Sequence, residues 1–201
     1  DGSHGKELWR SDGTVKGTYL VADIQPGRLD GGASVMAASQ SLLFLTVTAW
    51  DAPRGLWVSD GTGPGTFRIS EVQTNYSSIY KGRPFVVLPN GTSLFNGTTG
   101  LSDSELWVSD GTPGGTQPLV DLLPGPEGSG PSNFIVRGNE VIFTAETDGS
   151  NTSYELWRTD GTVSGTVPIP VPTGLEPRLG GGLHTLAGNT LYFAGFELST
   201  G

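Results

Sequence analysis

The chain contains no cysteine and a single methionine among its 201 residues. Without cysteine there are no disulfides and no thiolate metal sites. Basic residues are few: 11 Lys and Arg against 20 Asp and Glu give a net charge of −9 and a pI near 4.5. They are scattered singly, so no basic stripe neutralises phosphates, and nucleic-acid binding is not expected. The longest apolar runs, such as the one at 41–45, are too short to cross a bilayer, so membrane insertion is not expected either. Histidine is limited to His4 and His184. There is no H-x-x-x-H pair for zinc, no G-x-S-x-G elbow, no P-loop and no dinucleotide fingerprint. No catalytic residue is assigned, and the chain is expected not to be an enzyme.

What is abundant is glycine and proline, 32 and 14 residues, almost a quarter of the chain. That balance favours short strands and tight turns over helices. Eight Phe, five Trp and five Tyr speak against a disordered tail.

An octapeptide recurs: ELWRSDGT at 7–14, GLWVSDGT at 55–62, ELWVSDGT at 105–112 and ELWRTDGT at 155–162. Its tryptophans, Trp9, Trp57, Trp107 and Trp157, are spaced by 48, 50 and 50 residues. A period of this length with several strands per unit indicates propeller blades. One period shows the strands: Asn133–Arg137, a Gly138-Asn139 turn, Glu140–Ala145, Glu155–Thr159, and a β-branched stretch near Thr166–Ile169. The expected fold is all-β, a single four-bladed β-propeller over 1–201 with four antiparallel strands per blade. The blades fall at about 25–72, 73–122 and 123–171, and the last joins 172–201 to 1–24, closing the ring with strands from both ends.

Alternation on a strand puts Leu8 and Trp9 on opposite faces, so each repeat is expected to bury its tryptophan between blades. After it, Asp12, Asp60, Asp110 and Asp160 can each accept backbone N–H groups two residues on, and the following glycine tolerates positive φ. The octapeptide thus has a sufficient structural role, against four ligand or cation sites as the alternative.

These residues carry a resemblance. The pattern E-L-W-x-x-D-G-T-x-x-G-T, at Glu7–Thr18, Gly55–Thr66, Glu105–Thr116 and Glu155–Thr166, resembles the ELWxxDGT repeat family of extracellular and surface proteins. Val21-Ala22-Asp23-Ile24-Gln25-Pro26-Gly27 and the near copy Val120–Gly125 match the family's continuation, while the second repeat departs, with Gly55 for Glu and no Pro-Gly after Glu71. The resemblance implies a propeller at a surface location and no shared enzymatic activity.

Several residues outside the repeat are candidates. Asn75, Asn90, Asn96 and Asn151 begin N-x-S/T sequons and suggest a secreted or cell-surface glycoprotein. Asp30, Glu127 and Glu176, beside Arg28 and Arg178, could pair as glycosidase acids or form a solvated rim. No cofactor is required, the one ionic candidate being calcium near Glu146 and Asp148, with further loop acids at Asp1, Asp51 and Asp103. Trp50, the one tryptophan outside the repeat, could contact a sugar or cap its blade's edge; Tyr76, Tyr80 and Tyr154 are lesser aromatics of this kind. The expected function is a non-enzymatic structural or interaction module, alone or within a larger repeat protein, whose partners are extracellular or cell-surface proteins or glycans. A carbohydrate-binding propeller is the alternative, and a glycoside hydrolase comes third.

Overall fold

The computed structural model describes residues 4–74, 84–100, 103–150, 154–177 and 184–197. Over these residues the chain is strand and turn with no helix, hence none long and apolar enough to cross a membrane. It forms two compact units, Asp1–Thr74 with Gly111–Thr116, and Asn75–Asp110 with Gln117–Gly201.

In the first unit β1 (Leu8–Arg10) and β2 (Tyr19–Ala22) make a two-stranded antiparallel sheet. β3 (Ala33–Ala38), β4 (Leu43–Val47), β5 (Gly55–Ser59) and β6 (Thr66–Ser70) follow as a four-stranded antiparallel meander, and β7 (Gln73–Thr74) ends the unit's main segment. In the second unit β8 (Phe85–Val87), β9 (Ser93–Thr98), β10 (Ser104–Ser109) and β11 (Gln117–Val120) pair in chain order. So do β12 (Ser132–Arg137), β13 (Glu140–Glu146), β14 (Tyr154–Thr159) and β15 (Val167–Pro168). Two more pairs complete it: β16 (Leu175–Pro177) with β19 (Gly195–Glu197), and β17 (His184–Ala187) with β18 (Thr190–Phe193).

The second strand of each larger sheet, β4, β9 and β13, is buried along nearly its whole length, and β4 and β13 are mostly apolar. Such a run suits a strand paired on both edges and covered on both faces. The outer strands carry the prolines, Pro118 in β11 and Pro168 in β15, where one edge needs no N–H donor.

Each Leu-Trp pair in β1, β5 and β10 sits at a register shift, where Leu8, Leu56 and Leu106 face Ala22, Ser70 and Val120 while the next residue skips one partner. A bulge of this kind re-aims the extra residue. The residues so turned are Val21 and Ile69, both buried, and Leu119, which packs against its unit's core.

The two faces of the motif have different fates, and here the structure corrects the expectation for the tryptophans. Leu8, Leu56, Leu106 and Leu156 are the deeply buried members, each contributing about 2 kcal/mol of hydrophobic stabilisation. The tryptophans are only half-buried, and Trp9 is 44% exposed. Trp57, Trp107 and Trp157 each lie across their own sheet, ending a cross-strand ladder. Phe85 and Phe95 stack with centroids 5.1 Å apart and Trp107 lies tilted against Phe95 at 6.3 Å, while Phe134, Phe143 and Trp157 stack with 5.5 and 6.5 Å. In the first unit the same rungs are Val35, Leu45 and Trp57.

The strands expected to form the closing blade lie in both units. In the first unit β1 pairs with β2, and in the second β17 pairs with β18. After Phe193 the chain passes through Ala194 into β19, which bonds to β16 with Leu175 opposite Glu197.

Candidate functional site

The repeated turn satisfies itself. Asp12 Oδ1 accepts both the backbone N–H of Thr14, at 2.8 Å, and its hydroxyl, at 2.8 Å. Thr14 Oγ1 accepts the N–H of Gly17 at 3.0 Å, and the Thr18 hydroxyl donates to the Thr14 carbonyl at 2.7 Å. With its one proton committed there, Thr18 Oγ1 accepts from the Ser11 hydroxyl at 2.7 Å, and Ser11 Oγ in turn accepts the N–H of Gly13 at 3.0 Å. The same bonds recur around Asp60 and Asp160, and the Thr112, Gly115 and Thr116 bonds recur in the third repeat.

Every letter of D-G-T-x-x-G-T follows. The first glycine holds φ near +90°, from 87° to 91° across the four turns. The second must lack a side chain: a Cβ on Gly17, Gly65 or Gly165 would fall 1.9 to 2.0 Å from its aspartate's Oδ1. The threonine hydroxyl, then its N–H, holds the carboxyls of Asp12, Asp60 and Asp160 below the ordinary 3.8.

The glutamate that opens the motif has a different role, which the sequence reading missed. Glu7 is buried, and its carboxylate accepts the N–H groups of Ile24 at 2.7 Å, Gly31 at 2.7 Å and Gln25 at 3.4 Å. Glu105 is buried too, accepting from the N–H of Leu122 at 3.1 Å, the N–H of Ser129 at 2.7 Å and the Ser129 hydroxyl at 2.6 Å. Burial raises the Glu105 carboxyl above the ordinary 4.5, outweighing these hydrogen bonds. Each glutamate thus fastens the Pro-Gly loop that follows its repeat. The second repeat has Gly55 in place of Glu and no Pro-Gly loop at 71–74. A sequence signal was therefore present, since glutamate and loop are lost together. Glu155 is exposed, and the residue seventeen ahead of it is Pro172, which has no N–H to donate.

Asp30 accepts the backbone N–H of Lys6 at 2.8 Å, and Arg28 and Glu127 are exposed. Arg178 lies outside the described residues, and Glu176 lies on β16. His4 sits 3.9 Å from Asp23, and His184 is on β17. Glu146 is buried at the end of β13 opposite Tyr154, whose hydroxyl is raised by burial and then by the glutamate's charge. Asp148 accepts the N–H of Ser150 at 3.0 Å, while Asp51 and Asp103 are exposed and Asp1 lies outside the described residues. Among the described residues no three His, Asp or Glu side chains converge as a cation's ligand set.

Of the sequons, Asn90 is exposed at the turn between β8 and β9, its Oδ1 accepting the N–H of Thr92 at 3.0 Å. Asn96 is only 2% exposed, in the middle of β9, so its amide cannot carry a glycan in the folded chain. Asn75 and Asn151 lie outside the described residues, as do Tyr76 and Tyr80.

Trp50 stands apart. It is 88% exposed, on the loop between β4 and β5. Among the described residues its one ring contact is the Arg54 guanidinium, 4.9 Å from the ring centroid. The loop beneath is held firmly: Ala52 is buried in the core and donates to the Ala49 carbonyl at 3.3 Å, and the Trp57 indole donates to the Pro53 carbonyl at 2.9 Å. Elsewhere in this unit a groove of about 240 Å³ runs beside β1, lined by Leu8, Trp9, Val21, Leu42, Leu43 and Gly61. Comparisons with protein-family models, curated proteins and solved structures find no match to this chain.

Proposed function

We propose that the chain is a non-enzymatic interaction module of a secreted or cell-surface glycoprotein, a four-bladed β-propeller of ELWxxDGT repeats that binds through its loops. One observation carries this. The polar groups of the repeat are committed within their own turns and loops, whereas Trp50 stands on a stiff loop, 88% exposed. A large aromatic held in water at that exposure serves binding better than packing.

The propeller reading draws support from a repeated packing of turn on hairpin. A Cβ on Gly111 would meet Leu42 at 2.6 Å, and one on Gly161 would meet Thr92 at 3.5 Å and Leu88 at 3.9 Å. Leu42 and Thr92, fifty residues apart, occupy the same turn of successive periods. Ring closure would lay β18 along the open edge of β1, with Phe193 opposite Trp9 as Phe95 is opposite Trp107. A Trp9→Cys/Phe193→Cys variant should then form an intrachain disulfide under mild oxidation. A disulfide found only between chains, or none, overturns closure within one chain.

Attachment to the outer surface of the cells that make the protein tests the module itself. Purified protein should attach saturably, and Trp50→Ala should not. Absence of saturable attachment overturns the reading. Sugar binding is the second reading, favoured by Trp50 with Arg54 beside it.

A further inference from the structure

We infer that the loop after β4 binds an acidic saccharide, a pyranose stacking on Trp50 while its carboxylate pairs with Arg54; this rests on the interaction-module reading above and names its ligand class. Two of the chain's 11 basic residues meet at this loop. The Arg54 guanidinium lies 4.9 Å from the Trp50 centroid, and Arg68 Nη1 donates to the Arg54 carbonyl at 3.2 Å. Arg68 has an acid partner, Glu71, at 3.3 Å. Arg54 has none among the described residues, and its buried Nε has no hydrogen-bond partner there either. An unpaired guanidinium beside an open indole is a ready carboxylate receptor through its outer N–H groups.

The shape narrows the ligand. Trp50 offers a solitary flat face rising from a tight turn, which suits the planar C–H face of a sugar ring better than a peptide strand or helix needing a groove. A guanidinium against an aromatic ring still offers its N–H edge, so one ligand can touch both: ring on ring, carboxylate on fork. With a net charge of −9 the protein repels anions generally, and a local pair of arginines lets this loop select one.

Calorimetric titration with oligogalacturonate and with its fully methyl-esterified form tests the inference. The acid should bind, and the ester should bind about tenfold more weakly or worse, since it has lost the charge-assisted bonds. Arg54→Gln should erase the preference for acid over ester, and Trp50→Ala should abolish binding of both. Both variants should melt with the wild type, confirming that each still folds. Equal binding of acid and ester, no binding of either, or unchanged binding by Trp50→Ala overturns the proposal. If uronates fail while Trp50→Ala still loses surface attachment, the saccharide class falls and the interaction module stands. If Trp50→Ala attaches as wild type does, both fall.

Discussion

Glu105 accepts the backbone N–H of Ser129 at 2.7 Å, twenty-four residues further along the chain, and Glu7 accepts that of Gly31 at the same offset and the same distance. Each carboxylate also takes an N–H seventeen residues ahead, from Ile24 or Leu122. A buried carboxylate must be matched by donors, and a loop without regular structure must place its amides somewhere. The two needs meet in one bond set. Gly31 is part of the fit, since a Cβ there would lie 2.6 Å from the Glu7 oxygens.

Removing the Glu105 carboxylate should therefore destabilise the fold far more than removing that of Glu155, which is exposed. Glu105→Ala leaves buried loop donors unmatched and should cost about 2 kcal/mol, whereas Glu155→Ala should stay within about 0.5 kcal/mol. Urea denaturation of the two variants checks this, and equal costs would refute the fastening role.

The acid limb of stability should have two components. Asp12, Asp60 and Asp160 are lowered from 3.8, so their contribution is present above that value and lost as pH falls through their folded values. Glu105 is raised from 4.5, so the folded chain holds its proton more tightly, and stability falls as pH rises from 4.5 through the folded value. Melting temperature followed from about pH 2 to pH 7 should show Asp60→Asn flattening the lower limb. Glu105→Gln should remove the decline above 4.5. An unchanged profile in either variant contradicts the assignment.

The second glycine of the turn should tolerate no side chain, while a neighbouring glycine should. At Gly65 a Cβ would overlap the Asp60 carboxylate at 2.0 Å, so Gly65→Ala should cost about 2 kcal/mol or more through broken turn bonds. At Gly114 nothing lies within 4 Å, and Gly114→Ala should be neutral or stabilising by about 0.5 kcal/mol. Thermal unfolding of the pair decides it.

Glycan mapping should separate the two described sequons. Enzymatic deglycosylation of natively sourced protein in heavy-oxygen water should convert Asn90, exposed in its turn, and leave Asn96, buried in β9, as asparagine. A labelled Asn96 would mean that β9 is not buried in the secreted form, and an unlabelled pair would remove the described support for a glycoprotein.

What the sequence determined by itself was everything that acts over a few residues. The period of the Leu-Trp pairs, the apolar β4 and β13 and the self-contained chemistry of Asp60-Gly61-Thr62 are local, and they point to an all-β chain of antiparallel sheets. Turn geometry and alternation depend on near neighbours, so they can be read from the residues alone. Only the tertiary structure decided which side of a strand was sealed and what a long-range partner supplied. It buried Leu106 and left Trp107 partly open, enclosed Asn96 despite its sequon, and lifted Trp50 into solvent beside Arg54. It also gave Glu105 a partner twenty-four residues away, while Glu155, with the same neighbours in its motif, has no N–H at Pro172 to accept. The physical reason is that burial and carboxylate pairing are set by what distant segments bring to a side chain, which no local pattern encodes.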